Sequence, residues 1–174
     1  MKMRFTIATF ALLLKIMAYG QPPQETSVEL EKRNGFKSIR LATLVDSVQG
    51  ATFKKEILER NEFPARLYSV SHESLRSIGG VKVNNITLKT YKDLIYEIEV
   101  NTVKDQRLMK AMEQALGKAA YNLRTQAYHW RAESLSLSFT GDKKSLTLVY
   151  KSYPVIRMMY ADRGKKIDEI AEDF

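Results

Sequence analysis

Between Leu135 and Tyr150 the chain reads LSLSFTGDKKSLTLVY, and this alternation limits its fold more than any other feature. In an extended strand successive side chains point to opposite faces. Leu135, Leu137 and Phe139 therefore share one side, and Ser134, Ser136 and Ser138 share the other. Gly141-Asp142 supplies a hairpin turn, and Leu146, Leu148 and Tyr150 return on the apolar side. A helix would scatter these residues around its circumference, whereas an antiparallel hairpin with one dry face collects them. Just upstream, Tyr128 and Trp130 fall on one face of a further strand, His129 falls on the other, and RAES turns the chain.

The same period governs VKVNNITLKTYKDLIYEIEV, residues 81–100. Ile86 and Leu88 alternate with polar partners, as do Leu94, Tyr96, Ile98 and Val100 with Ile95, Glu97 and Glu99 opposite. TYKD makes the turn between the two strands, and Gly79-Gly80 the bend before them. ARLYSV reads as extended. The stretch that contains it, ATFKKEILERNEFPARLYSV, is otherwise ambiguous and is broken at Asn61 and Pro64. Phe36, Ile39 and Leu41 form a brief extended stretch, and residues 44–49 a short helix closed by Gly50. The period changes at KDQRLMKAMEQALGKA, where Leu108, Met112 and Leu116, flanked by Ala111 and Ala115, mark one stripe of a helix. Asp105 suits its start and Gly117 its end. A terminal helix follows Pro154, with Ile156, Met159, Tyr160, Ile167, Ile170 and Phe174 as its expected buried stripe. The economical assembly is an α+β fold. It has one antiparallel sheet of about five or six strands, in two meander halves, with helices packed on one face.

The first twenty residues read as a signal peptide. Lys2 and Arg4 precede the apolar run Phe5–Leu14, and small residues stand at Ala18 and Gly20. The run is short of the ~20 apolar residues that a membrane helix needs. The expected organisation is a signal peptide at 1–20, a polar linker at 21–34 and a single α+β domain at 35–174. The expected location is periplasmic or secreted, with no integral membrane span once the signal is removed. Loss of Lys2, Arg4 and Lys15 reduces 28 basic residues to 25, against 20 acidic ones. That mild excess favours solubility and lacks the concentrated basic stripe of a nucleic-acid binder. With no cysteine, the chain has neither disulfides nor thiolate chemistry and must hold itself by packing.

MEQALGKAAYNLRTQAYHWRAESLSLSF, residues 112–139, resembles small exported domains of the BamE/SmpA type and β-lactamase-inhibitor-protein-like folds. In those families a short helix runs into an LG-K turn, an aromatic Y-x-W strand and a meander. Leu116, Gly117 and Lys118 match the turn, and Tyr128 and Trp130 the strand. A fainter echo lies in GFKSIRLATLVDSVQG, where Ala42 stands in place of the families' glycine. The chain otherwise looks like small secreted bacterial proteins without an assigned activity. The resemblance implies a binding or assembly-support scaffold, and fold alone does not fix function.

Reactive chemistry is sparse. His72 and His129 are the two histidines, and neither belongs to a His-x-x-x-His or His-Glu pair. Glu97 and Glu99 share a strand face beside Lys89 and Lys92, which reads as a solvated charged face. The serines of 134–138 lack a G-x-S-x-G elbow, and no Gly-rich phosphate loop is present. No catalytic, cofactor or metal residues are expected. Nine tyrosines and one tryptophan are the distinctive weight, because their apolar bodies and polar tips suit partner surfaces and sugar stacking. Tyr153 and Lys151 are the expected exposed patch, with His129 as a third candidate for partner binding. The expected function is an exported, non-catalytic binding or assembly-support module of the bacterial cell envelope. Its partner would be another envelope protein or a cell-wall component. One alternative is an envelope hydrolase, which would gather a histidine and two acids in a concave pocket. Another is a small-ligand or inhibitor module, which would show a deep apolar groove between sheet and helix.

Overall fold

The structure, a computed structural model, describes residues 26–174. The segment read as a signal peptide lies outside the described residues. A helix, α1 (Val28–Arg33), leads into a small hairpin, β1 (Gly35–Phe36) and β2 (Ile39–Arg40). One 3-10 turn (Val45–Ser47) precedes the long strands β3 (Ala51–Glu59) and β4 (Phe63–Val70). A second 3-10 turn (Glu73–Leu75) precedes β5 (Ser77–Ile78), β6 (Val81–Tyr91) and β7 (Leu94–Val103). Then come α2 (Arg107–Leu116), β8 (Ala120–Asn122), β9 (Ala127–Arg131), β10 (Leu135–Gly141), β11 (Ser145–Ser152) and α3 (Tyr153–Glu172).

The expected α+β sheet of five or six strands with helices on one face is corrected by this topology. The fold is mostly β. Among the described residues one antiparallel sheet holds nine strands in the order β3-β4-β6-β7-β11-β10-β9-β8, with β5 beside β6, and β1-β2 form a separate sheet. Three strands escaped the sequence pattern for physical reasons. β3 is an edge strand with little burial on either side, and its pairing slips between Phe53 and Lys55, so it shows no alternation. β8 is exposed at all three residues, and β5 has only two.

The turns follow their residues. Lys92 and Asp93 adopt positive φ angles of 48° and 62°, a two-residue turn whose twist matches the flanking strands of β6 and β7. Gly79 and Gly80 do the same between β5 and β6, at 54° and 84°.

One irregularity divides the core. In β7, Glu97 faces Lys89 and Ile95 faces Thr90, so Tyr96 has no opposite number. Such a bulge switches the side to which the following residues point. Ile95 and Ile98 both join the main core with Leu88, Val100, Leu135, Leu137, Phe139 and Leu148. Tyr96 instead packs with Phe63, Ala65, Tyr91, Val155 and Met159 in a second cluster. The helices divide likewise: α1 and α2 contribute Leu30 and Leu108 to the main core, and α3 contributes Val155 and Met159 to the second. Ser152 caps α3 by accepting the Val155 N–H, with Pro154 in the first turn. Only the first half of α3 is buried. Ile167, Ile170 and Phe174 are exposed, so the expected stripe along the whole helix ends near Met159. Among the described residues no helix is long and apolar enough to cross a membrane.

Candidate functional site: a cation-rimmed apolar groove

The buried face of the central strands is not fully covered by its roof. α2 lies over β11 and presents Leu108, Met112 and Leu116, the stripe its spacing predicted, with alanines at 111 and 115 between them. Alanine leaves space where a longer side chain would reach the sheet. α1 and the β1-β2 hairpin form the opposite wall through Leu30, Gly35 and Phe36. Leu148 and Tyr150 of β11 form the floor. The groove between them has a volume of about 380 Å³, within the ~300–1,000 Å³ typical of small-molecule sites.

Specific contacts hold these walls. Ser27 caps α1 by accepting the Leu30 N–H, and its hydroxyl donates to the Leu116 carbonyl at 2.7 Å. Its own N–H bonds the Arg131 carbonyl of β9 at 2.8 Å, so one residue ties α1 to α2 and to the sheet. Glu31 accepts from the Ser134 N–H at 2.9 Å and from the Ser134 hydroxyl, and these bonds hold its carboxyl below the usual range. Asn34 ends α1 in a left-handed conformation. Gly35 follows at φ 137°, where a Cβ would lie 2.3 Å from the Ile39 carbonyl oxygen. At the far end of α2, Trp130 of β9, 2% exposed, donates Nε1–H to the Gly117 carbonyl at 2.7 Å.

The electrostatics are one-sided. Arg33, Lys37 and Arg40 line the rim, and no acidic residue lines the groove among the described residues. Lys37 Nζ donates to the carbonyls of Ser74 and Ser77 at 2.6 Å each, and the Arg40 guanidinium donates to the Lys37 carbonyl. Arg33 makes no hydrogen bond or ion pair with another described residue. Below it, Tyr150 is 7% exposed and packs against Phe36, yet its hydroxyl meets no hydrogen-bond partner among the described residues. Burial pushes the Tyr150 phenol above its ordinary pKa, against the smaller opposing pull of the Arg33 charge. The group is therefore a neutral donor at the groove floor. Thr90 Oγ1 is the one fully buried side-chain polar atom without a partner among the described residues, so the Tyr150 oxygen keeps contact with the open space of the groove.

The residues expected to bind a partner sit elsewhere. Lys151 faces Ser136 and Glu97, and His129 faces Ser138, which puts both on the sheet face opposite the groove. Lys151 is exposed and pairs with Glu97 at 3.1 Å. Tyr153 opens α3, half-buried, with its N–H on the Ser134 carbonyl. His129 is half-buried, 3.3 Å from the Thr125 hydroxyl, and its pKa is lowered first by burial and then by the Arg131 charge.

Glu97 differs from the solvated reading. It is 6% exposed, and its two oxygens take Lys89 and Lys151, both at 3.1 Å. Lys89 also bonds Glu59 at 2.8 Å, and Glu59 accepts the Tyr96 hydroxyl at 2.9 Å. Burial opposes ionisation of Glu59, but the bonds from Lys89 and Tyr96 outweigh it and hold this carboxyl below its ordinary pKa. Lys92, read as a neighbour of this cluster, pairs with Asp162 of α3 instead.

Sequence reasoning singled out neither Leu30, Arg33 nor Tyr150 as site residues. The signal at α1 was SVELEKRNG, which has a serine cap, acids in the first turn, bases in the last and an Asn-Gly stop. Tyr150 stands among the clustered tyrosines and on the apolar face of its strand, where nothing in the sequence separates it from a core tyrosine. His72 lines a different cleft with Arg76, Lys82 and two asparagines, and without a carboxylate. No group of three metal-ligating side chains occurs among the described residues. No protein-family model, curated protein or solved structure matches the chain.

Proposed function

We propose that this chain is a non-catalytic binding module that takes an amphipathic carboxylate, such as a long-chain fatty acid, into the groove between α2 and the sheet. The observation that carries this reading is the unpartnered Tyr150 hydroxyl on an otherwise apolar floor, beneath the free guanidinium of Arg33. An apolar chain suits the Leu, Met and Ala walls. An anionic head suits the rim, where the charged lining residues are Arg33, Lys37 and Arg40. The expected setting is the bacterial envelope or the space outside it, following the reading of residues 1–20.

The energetics give a modest affinity. About ten methylenes buried at roughly 0.8 kcal/mol each contribute about 8 kcal/mol. Charge-assisted bonds to the head add roughly 1.5–3 kcal/mol. Association and ordering cost at least ~4 kcal/mol. The balance of about 5.5–7 kcal/mol corresponds to a Kd of roughly 10–100 μM.

Tyr150→Phe provides the sharpest test, because the hydroxyl bonds nothing in the free protein. The variant should be as stable as the parent in urea or more so, and should bind a fluorescent fatty acid about tenfold more weakly. Ala115→Phe should fill the groove and abolish binding, and affinity in the parent should rise with chain length. A stable parent that binds no fatty acid of any length would overturn the proposal, as would a Tyr150→Phe protein with unchanged affinity.

A further inference from the structure

A second cleft, independent of the groove, lies on the other flank of α2. Tyr121 of β8 and Tyr128 of β9 face each other across their strands, with ring centroids 4.8 Å apart and planes tilted by 50°. Phe139 backs Tyr128 at 6.4 Å. Neither tyrosine is covered: Tyr121 is 46% exposed and Tyr128 37%. They open into a cleft of about 480 Å³ that is also lined by Lys104, Asp105, Gln106 and Gln126.

The two charged groups of this cleft are held in place. Asp105 accepts the Arg107 N–H at 2.9 Å and forms a two-pronged pair with the Arg107 guanidinium, which keeps its carboxyl below the usual range. Lys104 Nζ is fixed on the Asp142 carbonyl at 2.9 Å. The β8-β9 turn is braced by Asn122, whose side-chain oxygen accepts the N–H groups of Arg124 and Thr125. Gln126 then adopts φ 51°, a conformation uncommon outside glycine. The amides of Gln106 and Gln126 have no partner among the described residues.

We infer that this cleft binds a neutral β-linked oligosaccharide. The flat face of a β-linked pyranose presents C–H groups, which stack on an exposed aromatic ring, while its edge presents hydroxyls. Those hydroxyls both donate and accept, as do glutamine amides, whereas a cation cluster or an all-apolar wall would serve them poorly. A fatty acid would leave the two amides unpaired. A polyphosphate would find one lysine on the lining, and the Arg107 guanidinium beside it is already taken by Asp105. The tilted tyrosine pair forms a corner that can hold consecutive sugar rings, with Gln106 and Gln126 at its edges.

The test uses the full chain and two probes, the trisaccharides of β-1,4-linked N-acetylglucosamine and of β-1,4-linked glucose. Binding is followed by NMR through the ring signals of Tyr121 and Tyr128. At least one probe should shift both tyrosines saturably. Tyr128→Ala should weaken binding about tenfold, Gln126→Ala severalfold, and Tyr128→Phe little, because the ring is kept. Tyr128→Ala should leave fatty-acid affinity at the groove unchanged, so the two sites stand or fall separately. Failure of both sugars to shift either tyrosine would overturn the inference. So would equal sugar affinity in parent and Tyr128→Ala proteins.

Discussion

Replacing Trp130 by phenylalanine tests how the roof of the groove is held. Trp130 is 2% exposed, and its Nε1–H donates to the carbonyl of Gly117, the residue that ends α2. Phenylalanine keeps a ring in the core but leaves that carbonyl without its donor, a loss of roughly 1–3 kcal/mol when water does not replace it. The missing part of the indole leaves a small void, which adds about 1 kcal/mol. The expected destabilisation is therefore ~2–4 kcal/mol, against a total of ~5–15 kcal/mol for a domain of this kind. Trp130→Ala removes the whole ring and should cost ~4–5 kcal/mol. Urea unfolding followed by circular dichroism reads both values, because the variants lack the chain's one tryptophan. The midpoint should fall with an unchanged slope. Fatty-acid affinity should fall with it, since the end of α2 carries Leu116 of the groove wall. A Trp130→Phe protein within 0.5 kcal/mol of the parent would refute the reasoning, because surface changes stay within about that range.

Two further outcomes concern the polar face. Glu97→Gln removes the charge that both Lys89 and Lys151 share, but Lys89 keeps Glu59 and the Lys151 side chain is 46% exposed and can turn to water. The expected cost by urea unfolding is therefore about 1–2 kcal/mol, below the ~3–5 kcal/mol of stranding a fully buried charge; a Glu97→Gln protein as stable as the parent would show that the network contributes nothing. Stability should also fall in acid. Glu59 and Glu31 have folded pKa values below their unfolded ones, so their contribution is complete above the ordinary glutamate value of about 4.3 and is lost as pH falls through the depressed folded values. Thermal melts from pH 6 down to about pH 2.5 should show that loss in the parent and a shallower one in Glu59→Gln, and an equal slope in the two proteins would count against the assignment.

What the sequence disclosed depended on how strongly each segment is sided. Leu135, Leu137 and Phe139, each 5% exposed or less, lie opposite half-buried serines, so their strand is written in plain alternation. The α2 stripe was legible for the same reason, since Leu108 is buried and Met112 and Leu116 pack on the core. β3 is sided only at its ends, where Ala51, Ile57 and Glu59 are half-buried, and an edge strand exposed through its middle has little period to read. The change of side at Tyr96 could not be read either. Leu94, Tyr96 and Ile98 keep perfect spacing in the sequence, yet a bulge places Tyr96 and Ile98 in different clusters. The charge on Glu97 was visible but its burial was not, because its surroundings include residues distant in sequence, Phe63 of β4 and Ile156, Met159 and Tyr160 of α3. The groove lay furthest from view, since it requires α1, α2 and β11 to converge over two alanines.

An apolar space under a helix can be an accident of packing, but an accident relaxes. A roof free to move would settle toward the sheet and close the gap, because each unfilled contact forfeits dispersion energy. α2 is not free to settle. Lys104, just before it, is held by the Lys144 carbonyl through its N–H and by the Asp142 carbonyl through its amine. Its far end is held twice, by Ser27 on the Leu116 carbonyl and by Trp130 on the Gly117 carbonyl. The opposite wall is fixed where the backbone passes Gly35, at a distance that admits no side chain. The space therefore exists before any ligand arrives, and binding need not pay to open it. A fold that fixes its roof at both ends and thins it with alanine keeps this groove, with Tyr150 on its floor, open in the free protein.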